Sequence, residues 1–120
     1  MDALDKALFC MKTIGERKAV NPALFDVGKM TSITDYFIIT SGQSTRQVQA
    51  ISQHVARRMR EKGFRPSGVE GESDGQWILM DYGDVVIHIF YEPMREFYDL
   101  EGLWAEAPRV EVHEKNSEKK

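Results

Sequence analysis

The chain has one cysteine and no long apolar run. With Cys10 as the single cysteine among 120 residues, no internal disulfide is possible. Cys10 falls in an apolar helical pattern, so its side chain is expected to be buried. No apolar stretch reaches the roughly 18 residues of a membrane span. The amino terminus also lacks the basic and then apolar segments of a secretory signal. We therefore expect a single soluble domain located in the cytoplasm.

Basic residues are scarce in the second half of the chain. Between Glu70 and Glu106 there are ten acidic side chains, and Arg95 is the one basic residue. The segment from Gly42 to Pro66 has the opposite sign, with six basic residues against Glu61. The net charge of -3 argues against polyanion binding by the protein as a whole. The acidic half instead favours a basic protein partner, which indicates an interaction module and not an enzyme.

The sequence also lacks a pattern for a metal or a catalytic centre. The histidines at 54, 88 and 113 have no ligand spacing and no cysteine partners, so no metal and no cofactor are predicted. Asp81 and Asp84 are three residues apart, whereas two carboxylates that face the same way on a strand are two apart. We therefore predict no catalytic residues.

Two amphipathic helices are indicated in the first half. Apolar residues recur at three and four from Leu4 to Ile14, and the pattern ends near Gly15. A second helix is predicted to begin at Ser44 and to end at Gly63, with an apolar stripe between them. Strands are predicted at 23–27 and 35–41, and a short helix after Pro93.

The most apolar segment, 77–90, reads as a β-hairpin turning at Gly83 and Asp84. This turn pairs Tyr82 with Val85 and places an entirely apolar set of side chains on one face. The other face carries Trp77, Leu79, Asp81, Val86, His88 and Phe90. Two long helices cannot cover both faces of the sheet, so this second face is predicted to be partly exposed and to bind a partner. The alternative is a second buried layer, closed by a C-terminal apolar cluster of Leu100, Leu103 and Trp104.

These elements predict an α/β (α+β) fold with a single mixed sheet of four to five strands and helices mainly on one face. The folded domain is expected to span residues 1–108. The charged segment 109–120 has little to bury, so disorder is expected there. Two weaker features are the small residues 41–44 before the second helix, which could cradle a phosphate, and the arginine-rich end of that helix, which could touch RNA.

Several stretches resemble the ribosomal silencing factor (Iojap-like) family. They are the run from Asp35 to Ile51, Glu70-Gly71, Gly75-Gln76-Trp77, the run from Asp81 to Phe90, and the ending from Arg95 to Pro108. The resemblance implies a nucleotidyltransferase-like fold without the catalytic carboxylates. It also implies binding to large-subunit ribosomal protein fourteen on the large ribosomal subunit, which blocks joining of the small subunit when nutrients are scarce. Relatives of this family form homodimers, and organellar ones act in subunit assembly.

The expected function is therefore steric repression of translation, with a minor contact to ribosomal RNA. The expected partner-binding residues are Trp77, Leu79, Asp81, His88, Phe90, Tyr98 and Leu100. The alternatives are a nucleotidyltransferase-like enzyme and an RNA-binding assembly factor.

Overall fold

The computed structural model describes residues 1–112 as four helices and six strands. In chain order they are α1 (Ala3–Gly15), β1 (Val20–Asp26), β2 (Tyr36–Gly42), α2 (Thr45–Glu61), β3 (Gly68–Glu70), β4 (Trp77–Asp81), β5 (Val85–Tyr91), α3 (Glu92–Tyr98), α4 (Leu100–Leu103) and β6 (Arg109–Val110).

The six strands of the described part form one mixed sheet in the order β3-β4-β5-β2-β1-β6. The central pair, β2 and β5, is parallel, and the other neighbours are antiparallel. Both edge strands are short, which limits the unpaired backbone that could pair with another chain. The fold class predicted from the sequence is thus confirmed, although the sheet has one strand more than the upper expectation.

The additional strand corrects the expected domain boundary. Arg109 and Val110 pair with Phe25 and Leu24 of β1, so the folded part extends past residue 108 into the segment expected to be disordered. Val110 packs against the main core, which is the gain that offsets the ordering of these two residues. The rest of that expectation, from residue 113 onward, lies outside the described residues.

Local side-chain chemistry sets the limits of α2. The Ser44 hydroxyl accepts a hydrogen bond from the Gln47 backbone N–H (3.0 Å), as the capping pattern predicts. The Gln47 side chain in turn accepts from the Gln43 N–H at 2.7 Å. At the other end, Gly63 has a φ of 91°, and the N–H groups of Gly63 and Phe64 bond back to the carbonyls of Arg60 and Met59. This is a Schellman motif, which requires a left-handed residue and so favours glycine.

The β4–β5 hairpin has the predicted register. Met80 pairs with Ile87 and Ile78 with Ile89, and the Tyr82 N–H bonds to the Val85 carbonyl. The apolar hairpin face packs beneath α1 and α2 in the main core, with Leu24 and Ile38 from the neighbouring strands. Cys10 is buried in this core as expected, and burial raises the pKa of its thiol to about 12.

The opposite face of the sheet corrects a prediction. It is largely covered by a second apolar layer, which is built by α3, α4 and the segment that follows them. Its members are Ala23, Phe25, Val27, Phe37, Ile39, Val86, Phe90 and Ala107, with Trp77, Leu79, Met94, Leu100 and Trp104 packed around them. The preferred open face is therefore wrong, and the alternative of a second buried layer is the one observed, with Leu100 and Trp104 packed on it and Leu103 exposed.

Candidate functional site

Trp77 is the point at which this second layer reaches the surface. Its indole ring lies over Phe90 with centroids 4.9 Å apart and an interplanar angle of 28°. Tyr98 of α3 contacts the same indole, also at 4.9 Å. Phe90 is fully buried, whereas Trp77 is half-buried. The sheet therefore supports Trp77 from below and leaves part of its ring open to a partner.

His88 fixes the orientation of that indole. The Trp77 Nε1–H donates to His88 Nδ1 over 3.1 Å, so the neutral ring of His88 carries its own proton on Nε2. His88 is only 5 % exposed, and within the described residues its Nε2 has no hydrogen-bond partner. Burial lowers the pKa of His88 to about 4, because the charged imidazolium would be desolvated there. The histidine is thus neutral at physiological pH.

An exposed aromatic surface continues from Trp77 along α3. Tyr98 is 49 % exposed, and Phe97, whose ring meets that of Tyr98 at 5.1 Å, is 74 % exposed. Glu92, Glu96 and Asp99, which neighbour these two rings along the chain, are also exposed. We call Trp77, Phe97 and Tyr98 with these acids the acidic aromatic patch. Large exposed rings with a charged border are typical of a protein-binding surface.

Arg95 anchors α3 and α4 to the sheet. Its guanidinium donates two hydrogen bonds of 3.0 Å to the Glu101 carboxylate and two of 3.2 Å to the Val20 carbonyl and the Ser41 hydroxyl. The bonds from Arg95 hold the pKa of Glu101 below its usual value. Because Val20 and Ser41 belong to β1 and β2, this one side chain ties the patch-bearing helix to two strands.

The loop before β4 helps to fix the position of Trp77. Gly71 has a φ of 85°, and a β-carbon there would overlap the Trp77 carbonyl, so only glycine fits. The Gln49 side chain of α2 donates to the carbonyls of Glu72 and Ser73 at 2.9 and 3.2 Å. The loop is therefore held from two sides.

The seven residues predicted to bind a partner separate into four groups. Trp77 and Tyr98 lie together at the surface, and Leu79 and Leu100 are half-buried at the second layer. Asp81 is half-buried, and its carboxylate accepts from the Gly83 N–H at 2.8 Å, so it closes the hairpin turn.

His88 and Phe90 form the fourth group, and their predicted exposure is wrong. Both are buried and contact Trp77 from beneath, because the C-terminal segment covers the sheet face to which they belong.

The sequence reasoning missed two exposed apolar residues. Phe97 and Leu103, which is 75 % exposed, were not among the predicted binding residues, and Leu103 was assigned to a packed cluster. The spacing of Met94 and Phe97, one helical turn apart, places both on the same side of α3 and so gives no signal that Phe97 is exposed. No signal marks Leu103 either.

Other sites considered from the sequence have partners of their own. Asp84 forms an ion pair with the buried Lys6 at 2.7 Å and does not combine with Asp81. Where a phosphate could bind at the start of α2, the Gln43 N–H donates to the Gln47 side chain and the Gln47 N–H donates to the Ser44 hydroxyl. Residues 1–112 contain no group of three or more potential metal ligands. No helix among them is long and apolar enough to cross a membrane.

A concavity of about 820 Å³ lies at the carboxyl ends of β2 and β5. Its wall mixes both charges, with Arg95 and Arg109 facing Glu92, Glu96 and Glu101. Since Arg95 and Glu101 are bound to each other, the concavity offers no convergent set of free groups for a small ligand.

Comparisons with known proteins agree with this architecture. A ribosomal silencing factor from Halalkalibacterium halodurans is 35 % identical over 85 % of this chain and 87 % of its own length. One from Haemophilus influenzae is 39 % identical over 81 % of this chain and 95 % of its own length. A crystal structure of a protein from Chromobacterium violaceum superposes with a TM-score of 0.85 at 32 % identity, covering 88 % of both chains.

These relatives bear the names of translation regulators and not of enzymes, and they match the chain over most of its length. The sequence model described as "Ribosomal silencing factor during starvation" matches residues 1–120. The chain therefore belongs to the ribosomal silencing factor family.

Proposed function

We propose that this protein represses translation, without chemistry of its own, by docking on the large ribosomal subunit through large-subunit ribosomal protein fourteen. Its bulk then prevents the small subunit from joining when nutrients are limiting. The family membership and the names of the bacterial relatives support a ribosomal role in the cytoplasm. The surface of the molecule supports a protein and not a small ligand as its target.

The acidic aromatic patch is the observation that carries this proposal. Trp77, Tyr98 and Phe97 form a chain of ring contacts of 4.9 and 5.1 Å that leads from the sheet to the solvent. Aromatic residues in a supported, partly desolvated position are the usual energetic centres of protein interfaces. In the free protein the same patch is the surface on which a homodimer would form.

The acidic border of the patch fits a basic partner. Ribosomal proteins are basic, and Glu92, Glu96 and Asp99 are exposed beside the rings. An exposed ion pair contributes about 0.2–1 kcal/mol, whereas a buried aromatic anchor contributes about 2 kcal/mol or more. We therefore assign affinity mainly to the rings, and orientation and approach mainly to the carboxylates. Leu79 and Leu100 widen the apolar part, while His88 and Phe90 act on the partner only through Trp77.

The decisive experiment is sedimentation of the protein with purified large subunits, small subunits and joined ribosomes. We expect association with large subunits alone, and a decrease in joined ribosomes when the protein is added before the small subunit. Association with small subunits, or normal joining at saturation, would refute the steric mechanism.

A paired substitution tests the patch. Phe97→Ala with Tyr98→Ala removes two exposed rings, so the fold should be retained, and dissociation from large subunits should become about 30-fold faster, as expected for a loss of about 2 kcal/mol. Ile33→Ala is the matched control, because Ile33 is 79 % exposed on the loop before β2, at the opposite end of that strand. Equal dissociation rates for both variants, measured by surface plasmon resonance, would show that the patch is not the docking site.

A further inference from the structure

A second charged surface lies on the other side of the sheet, along the outer face of α2. Arg46, Gln53, Arg57 and Arg60 recur at spacings of seven, four and three, and all four are exposed. The buried residues of α2, which include Val48, Ile51, Val55 and Met59, occupy the opposite side of the helix. At a rise of 1.5 Å per residue, this basic stripe is about 21 Å long.

The arginines of the basic stripe are not paired with carboxylates in the described part of the chain. Within residues 1–112, Arg46, Arg57 and Arg60 form no salt bridge with an acidic side chain. Glu16, which lies beside α2, and Glu61, the last residue of α2, are engaged elsewhere. Glu61 accepts from Arg58 at 2.8 Å, and Glu16 contacts His54 at 2.8 Å and Arg58 at 3.8 Å. Three guanidinium groups therefore project a field of one sign from a rigid helix.

One of these groups is held in place from below. The guanidinium of Arg57 contacts Nδ1 of the buried His54 at 2.9 Å, and His54 Nε2 is itself fixed by Glu16 of the α1 terminus. Lys12 of α1 and Lys62 at the end of α2 are also exposed on this helical layer, so the positive field extends beyond the stripe itself. An ordered guanidinium loses less side-chain entropy on binding than a free one.

We propose that the basic stripe binds the phosphate backbone of duplex RNA. A protein partner would need an apolar or aromatic anchor, and this face offers none among its exposed side chains. The ring of Phe9 is half-buried and lies under two cations, with Arg58 at 5.6 Å and Lys62 at 5.3 Å from its centroid. Single-stranded RNA is usually held by stacking its bases on open rings, and none is present here.

The remaining mode of binding is recognition of the RNA backbone, which depends on the shape and charge of a duplex and not on its sequence. The basic stripe and the acidic aromatic patch lie on opposite layers of the sheet, so one molecule can contact a basic protein and an RNA helix at once. The inference does not depend on the proposed docking partner, because RNA binding is measured without any ribosomal protein.

The test uses the full chain and a fluorescent 16-base-pair RNA duplex. Fluorescence anisotropy should show weak binding that falls steeply with salt. Arg57→Gln with Arg60→Gln should weaken binding about tenfold or more at low salt, and should reduce the log–log salt slope by about 2, since each lost phosphate contact contributes about 0.9. The single-stranded form of one strand should bind more weakly than the duplex.

Lys29→Gln with Arg109→Gln is the matched control, since it removes the same charge from two exposed positions away from α2. The proposal holds if the α2 variant loses duplex binding and the control retains it. It is overturned if both variants lose binding equally, which would indicate net charge alone. It is also overturned if the α2 variant binds RNA normally, or if the basic stripe binds polyglutamate as tightly as the duplex.

Discussion

Trp77 and His88 illustrate how a buried polar group can serve a surface residue. The hydrogen bond between Trp77 Nε1 and His88 Nδ1 orients the indole, but it leaves His88 Nε2–H without a partner in the described structure. An unsatisfied buried donor costs about 1–3 kcal/mol. We infer that this cost is tolerated because it holds the exposed edge of Trp77 in a single orientation.

The buried state of His88 predicts a specific dependence of stability on pH. In the unfolded chain His88 takes up a proton near pH 6.5, whereas burial lowers its folded pKa to about 4. The unfolded state therefore binds more protons between these values, and stability is lost as the pH falls from about 6.5 to about 4. We expect His88 to lower the free energy of unfolding by about 2 kcal/mol between pH 7 and pH 5.

Urea denaturation at both pH values measures this effect, and His88→Gln provides the comparison. The variant should be less stable at pH 7, but should lose about 2 kcal/mol less than the original protein on acidification. Acidic groups such as Glu101, whose folded pKa is lowered, contribute at lower pH, because their stabilisation is lost only as the pH falls through that folded value. Parallel pH profiles for the two proteins would contradict a buried neutral histidine.

At the scale of elements, α3 and α4 form a cover over the second apolar layer, and few contacts hold this cover in place. Neither helix has a fully buried side chain, and α3 has no side-chain cap at its first residue. The carbonyl of Val20 lies beside the bulge in β1 and accepts bonds from Thr40, Ser41 and Arg95. Arg95 thus connects the cover to the most irregular part of the sheet.

Replacement of Arg95 should therefore loosen the cover. The side chain of Arg95 is 13 % exposed, so Arg95→Met leaves Glu101 without its donor and removes one of three donors to the Val20 carbonyl, which should cost roughly 2–4 kcal/mol. Arg95→Lys keeps the charge but cannot form the bidentate contact with Glu101, so an intermediate loss of stability is expected. Urea denaturation followed by tryptophan fluorescence measures both, since Trp104 lies in the segment that follows α4.

The exposed pair Arg58–Glu61 provides a control for this prediction. Arg58→Met should cost less than about 1 kcal/mol, because surface ion pairs contribute little. An Arg95→Met variant as stable as Arg58→Met would show that the cover is held by apolar contacts alone.

The sequence predicted the elements that depend on local patterns. The α2 limits follow from Ser44 and Gly63, and the hairpin register follows from a two-residue turn, so both could be read from neighbouring residues. The cover could not be read in this way. Its position depends on Arg95 reaching Val20 and Ser41, which are 75 and 54 positions away along the chain.

The candidate site was predicted in part for the same reason. Alternation along β4 and β5 correctly separated the two hairpin faces, and it placed Trp77 beside Phe90. Alternation carries no information about what lies above a face, so it did not show that His88 and Phe90 are buried. Exposure of Phe97 depends on how α3 is rotated, and this is set by contacts with distant strands.

For the whole molecule, the uneven distribution of charge along the chain becomes a separation in space. The arginines of α2 lie on one side of the sheet, while Glu92, Glu96 and Asp99 lie on the α3 side. The small net charge of -3 conceals this separation. Steering of a partner depends on the local field at the approaching surface, so the acidic side should attract a basic partner in spite of the small total.

This separation predicts that position matters more than net charge in association with large subunits. Glu96→Lys should slow association roughly tenfold at low salt, because it inverts one charge within the acidic aromatic patch. The difference should shrink at high salt, since the Debye length decreases from about 8 Å at physiological salt to about 3 Å at 1 M. Dissociation should change less, because the rings that hold the partner are intact.

Asp5→Lys is the matched control for Glu96→Lys. It makes the same change in net charge at an exposed position of α1, on the opposite layer of the sheet. Stopped-flow or surface plasmon resonance measurements at several salt concentrations separate the two association rates. If both variants slow association to the same extent, the total charge governs the encounter. If only Glu96→Lys does so, and the difference falls with salt, the partner approaches across α3.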